Sequence, residues 1–217
     1  MRPTISPIPP YEEALTGDAD DDRQCAEQHF TTPIRRAEWL TWRRVARGLI
    51  DEVAPDVNFQ IDYNECGAPE ARSTPNPCDK YYIGVSHCRG YVAVVVSDAP
   101  CGVDIEHCDR NFERASSKFL SHEERALEEC YPELLAGAVW CAKEAVYKRY
   151  SAEGHKYPDF LTDLRVTHSD LAHGEVWVAA GDNAPQKVCI EWKKVGDDRL
   201  IVATVGLQTT QAANLKE

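Results

Sequence analysis

Nowhere in the 217 residues does an apolar run approach the roughly eighteen positions that a membrane helix requires. The first segment, MRPTISPIPPYEEALTGDADDD, lacks the apolar stretch of a secretory signal and carries acids that a transit peptide avoids. A cytoplasmic protein with no membrane partner is expected. Excess positive charge is missing too: 24 Lys and Arg stand against 36 Asp and Glu, a formal net charge of −12, which argues against a general nucleic-acid binder. None of the nine cysteines has the C-x-x-C spacing of a zinc or redox site, and their number is odd. Several lie in apolar runs, so reduced thiols acting as small hydrophobes are expected. There is no G-x-S-x-G elbow, no P-loop and no G-x-G-x-x-G turn, so serine-hydrolase, P-loop and dinucleotide chemistry have no anchor.

The charge that is present is uneven. Glu12, Glu13, Asp18, Asp20, Asp21 and Asp22 make the start acidic, whereas Arg35, Arg36, Arg43, Arg44 and Arg47 crowd one short segment. A basic patch on an acidic protein suits a discrete anionic ligand, and it equally suits arginines solvated on a helix. Residues 1–30, rich in Pro, Asp and Glu and without a sustained period, read as a loosely ordered extension. Behind Pro33, the residues Ile34, Leu40, Val45, Leu49 and Ile50 recur at helix-like intervals and predict a helix over 33–53. A short strand, VNFQIDY, follows, and then a turn-rich stretch, NECGAPEARSTPNPCDK, that does not hold regular structure for long. Residues 81–86 and 91–97 are β-branched and aromatic and read as a hairpin, with a third strand at 101–106. Helices fit 121–130, opened by the capping-box pair Ser121 and Glu124, and 132–150. Strands at 164–167, 175–180, 187–192 and 200–205 complete an α+β chain.

Two stretches combine residue types that can do chemistry. In Gly102-Val103-Asp104-Ile105-Glu106, strand alternation puts Asp104 and Glu106 on one face and Val103 and Ile105 on the other. Paired carboxylates repel unless a cation lies between them, and their hard oxygens suit Mg²⁺ or Mn²⁺. A solvated strand face accounts for the same pattern. In Trp140-Cys141-Ala142-Lys143-Glu144-Ala145-Val146-Tyr147-Lys148, helical spacing gathers Trp140, Lys143, Glu144, Tyr147 and Lys148 on one face. A third carboxylate one turn from a lysine matches phosphate chemistry, although a plain surface pair reads the same way. Ser86-His87 closes a hairpin strand, where the histidine also fits an ordinary turn.

Taken together, GVDIE and WCAKEAVYK resemble the paired signature of the 4′-phosphopantetheinyl transferase superfamily, G-[IV]-D-[IVL]-E followed by W-x-x-K-E-A-x-x-K. Further stretches resemble the family in order: Arg35–Arg43 as its arginine-bearing helix, Gly67-Ala68-Pro69 as its G-x-P turn, Ile83–His87 as its strand ending in S-H, and Phe119–Glu124 as F-L-S-x-x-E. The likeness covers about residues 33–150, and the length resembles the larger single-chain (Sfp-type) branch. It implies two similar α+β lobes forming a pseudo-dimer within a monomer, here 31–100 and 101–217 after the 1–30 extension. It implies transfer of the 4′-phosphopantetheine of coenzyme A to a serine of an apo acyl-, polyketide or peptidyl-carrier protein, with release of 3′,5′-ADP. By the same resemblance Asp104, Glu106 and Glu144 hold Mg²⁺, and Lys148 contacts the pyrophosphate. Ser86, His87, Arg43 and Arg36 bind phosphates, and the Gly67–Pro69 backbone lies against adenine. Glu144 is the base toward the carrier serine, with Lys143 as an alternative acceptor or positioning group. Position 68 departs from the family, which usually has lysine there, and Arg72 or Lys80 would supply the missing charge. Two rival readings are a non-catalytic binder of coenzyme A or a carrier, and a metal-dependent phosphohydrolase.

Overall fold

A computed structural model describes residues 2–15, 20–76, 78–127, 131–156 and 163–207. Two five-stranded antiparallel sheets each carry one 21-residue helix, giving the two-lobed α+β arrangement. The first lobe contains strand β1 (Thr4–Pro7), helices α1 (Tyr11–Ala14), α2 (Asp20–His29) and α3 (Pro33–Val53), and strands β2 (Phe59–Tyr63), β3 (Pro69–Ser73), β4 (Lys80–Cys88) and β5 (Tyr91–Ser97). Its strand order is β1-β5-β4-β3-β2. The second lobe begins with β6 (Gly102–His107). A 3₁₀ turn (Glu113–Lys118), α4 (His122–Arg125) and α5 (Pro132–Ala152) follow. Strands β7 (Leu164–Asp170), β8 (Glu175–Ala180), β9 (Gln186–Val195) and β10 (Asp198–Val205) complete it in the order β6-β10-β9-β8-β7.

Local chemistry sets the helix starts. Thr32 caps α3 by accepting from the Arg35 amide, and Pro33 occupies the first turn, where its missing N–H costs nothing. Pro132 begins α5 in the same way. Ser121 and Glu124 form the expected capping box, but the helix they open ends at Arg125; Cys130, its expected end, lies outside the described residues.

Strand β5 is buried on both faces, which is why its sequence, VAVVV, is continuous and not alternating. Val92, Val94 and Val96 pack with Leu40, Ala46 and Ile50 of α3. Ala93 and Val95 face the other way, joining Val103 and Ile105 of β6 and Leu200 and Val202 of β10. The two sheets therefore meet through a shared apolar layer. The opposite face of β6 and β10 packs on α5, whose Leu135, Val139, Ala142 and Val146 belong to the largest core.

The described residues before Phe30 depart from the expected loose extension. β1 adds an edge strand to β5 from Thr4↔Val94 to Pro7↔Tyr91, and Ala14 and Ala26 are buried in the core of the first lobe. Tertiary partners supply the order that this segment's own pattern lacks. The turn-rich stretch also contains β3, paired with both β2 and β4. No described helix is long and apolar enough to cross a membrane. The described cysteines are free thiols; burial pushes those of Cys88 and Cys101 up to about 12, which suits their packing role.

Candidate active site

The chemistry-bearing residues converge where β6, the end of β4 and α5 meet. Gly102 makes this possible, because a side chain there would run into the Ala145 carbonyl oxygen of α5. With the helix seated this closely, Lys148 reaches β6 and donates to Asp104 Oδ1 (2.7 Å) and to the Val103 carbonyl (3.2 Å). Ser86 Oγ, at the end of β4, donates to the same Asp104 oxygen (2.7 Å). Asp104 is only 4% exposed; its Oδ2 has no nitrogen or oxygen donor, and the buried Cys141 thiol stands against the carboxylate. Leaving such an oxygen without a strong donor is costly unless something else meets it.

Glu144, one helical turn before Lys148, has its carboxyl raised above the usual range. Burial is the main cause and the Asp104 charge adds to it, while Lys148 and Arg110 oppose. Glu106 projects from the same face of β6 as Asp104 and pairs with Arg110 in the following turn. Lys148 pairs with Asp104 and Arg110 with Glu106, and among the described residues no three acid, histidine or cysteine side chains form a metal cage. The donor set nonetheless fits a hard divalent cation: carboxylate oxygens only, one of them buried without a nitrogen or oxygen donor, with Glu144 close enough for its charge state to respond to Asp104.

The other expected site residues divide. Gly67 (φ +79°), Ala68 and Pro69 line a cavity of about 210 Å³ together with Gly84, Tyr147, Lys148 and Ser151, so the turn and the lysine share one pocket. Asn64, which the sequence reading missed, builds this wall: its side chain accepts from the Cys66 and Ala68 amides (2.9 and 3.0 Å) and donates to the Ser151 carbonyl at the end of α5 (2.8 Å). The Asn two residues before a turn amide is a local signature of this kind of bond. His87 stands half-exposed beside Arg35, 3.0 Å from its guanidinium, with Glu38 on its other side.

Three expected site residues are engaged elsewhere. Arg43 is buried in an ion pair with Asp22 (2.9 Å), stacked on Trp39 and Trp42, and Arg47 joins the same carboxylate (2.6 Å). Arg36 donates to the Phe30 carbonyl (2.8 Å) and lies over Tyr11. Both arginines thus anchor the N-terminal segment, and Arg35 is the arginine beside His87. Lys143 is 2% exposed and donates to the Phe119 carbonyl (2.6 Å) and to Glu124 (2.8 Å), away from Asp104. Glu124 also accepts from the Ser121 and Val166 amides (2.8 and 2.7 Å), so this pair fastens α4, α5 and β7 together. Arg72 and Lys80, the expected substitutes for a lysine at 68, both pair with Glu70 beside a neighbouring cavity.

No curated protein matches the chain. A family model does: residues 100–205, from the start of β6 through β10, match the 4′-phosphopantetheinyl transferase superfamily. The matched span contains the acid cluster and all of α5. Over that span the chain is similar to the 4′-phosphopantetheinyl transferase superfamily.

Proposed function

We propose that this protein transfers the 4′-phosphopantetheine group of coenzyme A to a serine hydroxyl of an apo acyl- or peptidyl-carrier protein, with Mg²⁺ as cofactor and 3′,5′-ADP as leaving product. The single-chain, two-lobed build favours the larger branch of the superfamily. The observation that carries the reading is Asp104: buried, held by Ser86 and Lys148 on one oxygen, without a nitrogen or oxygen donor on the other, near enough to Glu144 for its charge to be felt, and tied through Lys148 to the Gly67–Pro69 pocket.

Asp104, Glu106 and Glu144 would hold the cation. When bound, it would withdraw charge from the phosphate oxygens. The protein's own groups do the rest. The backbone at Gly67–Pro69 offers a wall for the adenine, and Arg35 with His87 offers cationic and hydrogen-bonding partners to the 3′-phosphate. Lys148, which lines the same pocket, can move from Asp104 to the pyrophosphate and stabilise charge on the departing 3′,5′-ADP. Glu144 would accept the serine proton through an oxygen that the cation leaves free. Fixing the hydroxyl in line with the leaving oxygen replaces a bimolecular encounter.

Intact-mass spectrometry of an apo-carrier incubated with the protein, coenzyme A and Mg²⁺ tests the reading. The carrier should gain the mass of one phosphopantetheine, lose that gain with EDTA, and show none with Asp104→Ala or Glu144→Ala. Free phosphopantetheine with an unmodified carrier would instead indicate hydrolysis. Coenzyme A binding without any transfer across fatty-acid, polyketide and peptide carriers would indicate a non-catalytic binder.

A further inference from the structure

Arg110 lies in the turn that follows β6. Its amide donates to the His107 carbonyl (3.2 Å), and its own carbonyl accepts from Phe112 (2.9 Å), which folds the chain back sharply after β6. The turn returns the guanidinium to Glu106, four residues earlier on the strand. The same guanidinium lies over the Trp140 ring, 4.8 Å from its centre, and near the Phe112 ring at 5.2 Å. Trp140 is one helical turn before Glu144 on α5. Arg110 therefore spans the two elements that carry the acid cluster, binding one by charge and the other by stacking.

The charges of the cluster are unevenly matched. Asp104 has Lys148 and Glu106 has Arg110, while no described side chain hydrogen-bonds Glu144. A divalent cation that enlists Glu106 competes with Arg110 for its charge. The stacking on Trp140 and Phe112 does not depend on Glu106, so the guanidinium has a place to remain after the ion pair opens. Its field also reaches further than Glu106: it opposes the upward shift of both Glu144 and the Cys141 thiol.

We propose that Arg110 is a built-in counter-ion of the acid cluster, holding Glu106 in the cation-free protein and yielding it when a divalent cation binds. It is thus a positioning residue that sets how readily the site loads. This rests on reading Asp104, Glu106 and Glu144 as the cation ligands.

The test is titration of the full-length protein with Mn²⁺ followed by electron paramagnetic resonance, without coenzyme A or carrier. Arg110→Gln should bind Mn²⁺ roughly threefold to tenfold more tightly than the unsubstituted protein, the scale of a half-exposed ion pair that no longer competes. Arg110→Lys should fall between them, since an ammonium neither forks nor stacks as a guanidinium does. Lys187→Gln removes an equal charge at the β8–β9 pair with Glu175 and should leave the affinity as it is. Asp104→Asn should abolish the tight Mn²⁺ signal in every background. Equal or weaker binding by Arg110→Gln, with Asp104→Asn still abolishing the signal, overturns the role of Arg110 and leaves the ligand assignment standing. Mn²⁺ binding indifferent to Asp104→Asn overturns both. Should the glutamine variant fail to fold by circular dichroism, the lysine variant decides alone, and an affinity equal to the unsubstituted protein's overturns the proposal.

Discussion

His87 feels charge from four directions. Partial burial is the main cause that lowers its pKa from 6.5, and Arg35 and Lys148 push the same way, while Glu38 and Asp104 oppose. Without ligand the imidazole is therefore neutral over more of the pH range than a solvated histidine. A phosphate dianion beside it would favour the imidazolium and raise the pKa. A ligand that raises a pKa takes up a proton on binding, so its affinity grows as pH falls from above the bound-state pKa toward the free-state one. Calorimetry should find 3′,5′-ADP bound more tightly at about pH 6.5 than at about pH 8, above the phosphate's own second ionisation near about 6. The gain should vanish for 5′-ADP, which lacks the 3′-phosphate, and for His87→Ala. A pH effect shared equally by both nucleotides would place the titrating group elsewhere. Residue types at this corner were legible in the sequence: a histidine closing β4 and an arginine-rich helix. Which arginine was not legible, because the choice depends on the face of α3 that the N-terminal segment covers. That segment takes Arg36, Arg43 and Arg47, and leaves Arg35 to His87.

Between elements, the two signature stretches separate into parts with different duties. Lys143 and Glu124 are opposite ends of one buried pair, so half of what looks like chemistry in W-x-x-K-E-A-x-x-K keeps α5 on α4 and β7. Spacing along α5 groups Lys143 with Glu144, but only the packing of the 119–124 segment reveals where the lysine goes. The glycine of GVDIE has an equally mechanical task. A methyl group at Gly102 would meet the Ala145 carbonyl oxygen and come within 2.9 Å of its carbon and 3.0 Å of the Arg149 amide nitrogen, all of them backbone atoms of the helix. Gly102→Ala should therefore push α5 off β6, at a cost of about 1–3 kcal/mol or more. Thermal denaturation should show a clear loss of stability, and Lys148 and Glu144 should lose their alignment with Asp104, so transfer should fall beyond what the stability loss explains. An unchanged melting temperature would mean that the helix accommodates the methyl freely. Long elements were readable: the α3 bounds match the expected 33–53, and the hairpin strands lie where β-branched runs predicted. β3 was hidden, because PEARS has neither alternation nor β-branched residues and becomes a strand only between β2 and β4.

At the scale of the whole molecule, the lobes share material as well as a cleft. Ala93 and Val95 of one sheet and Val103, Ile105, Leu200 and Val202 of the other are fully or almost fully buried against one another. Asn64 adds a polar tie from the first lobe to the end of α5. Neither layer keeps its apolar cover if the other lobe unfolds, so the chain should denature in one cooperative step. Scanning calorimetry should give a single endotherm whose calorimetric and van't Hoff enthalpies agree; two resolved endotherms would mean that the lobes are independent. The β-branched run of β5 was readable as a hairpin strand but not as one buried on both faces, because its second partner, β6, belongs to the other sheet and no local pattern names a partner across a sheet boundary.

That shared layer also limits how the protein can move. Enzymes that close two domains over a substrate need a seam whose faces can part and meet again, with water admitted in between. Here the seam is filled by valine, isoleucine, leucine and alanine side chains, and parting it would wet the interior. On the proposed reading, rearrangement on binding is expected in single side chains at the rim, in Lys148 and Arg110 exchanging their partners Asp104 and Glu106, and not in the seam.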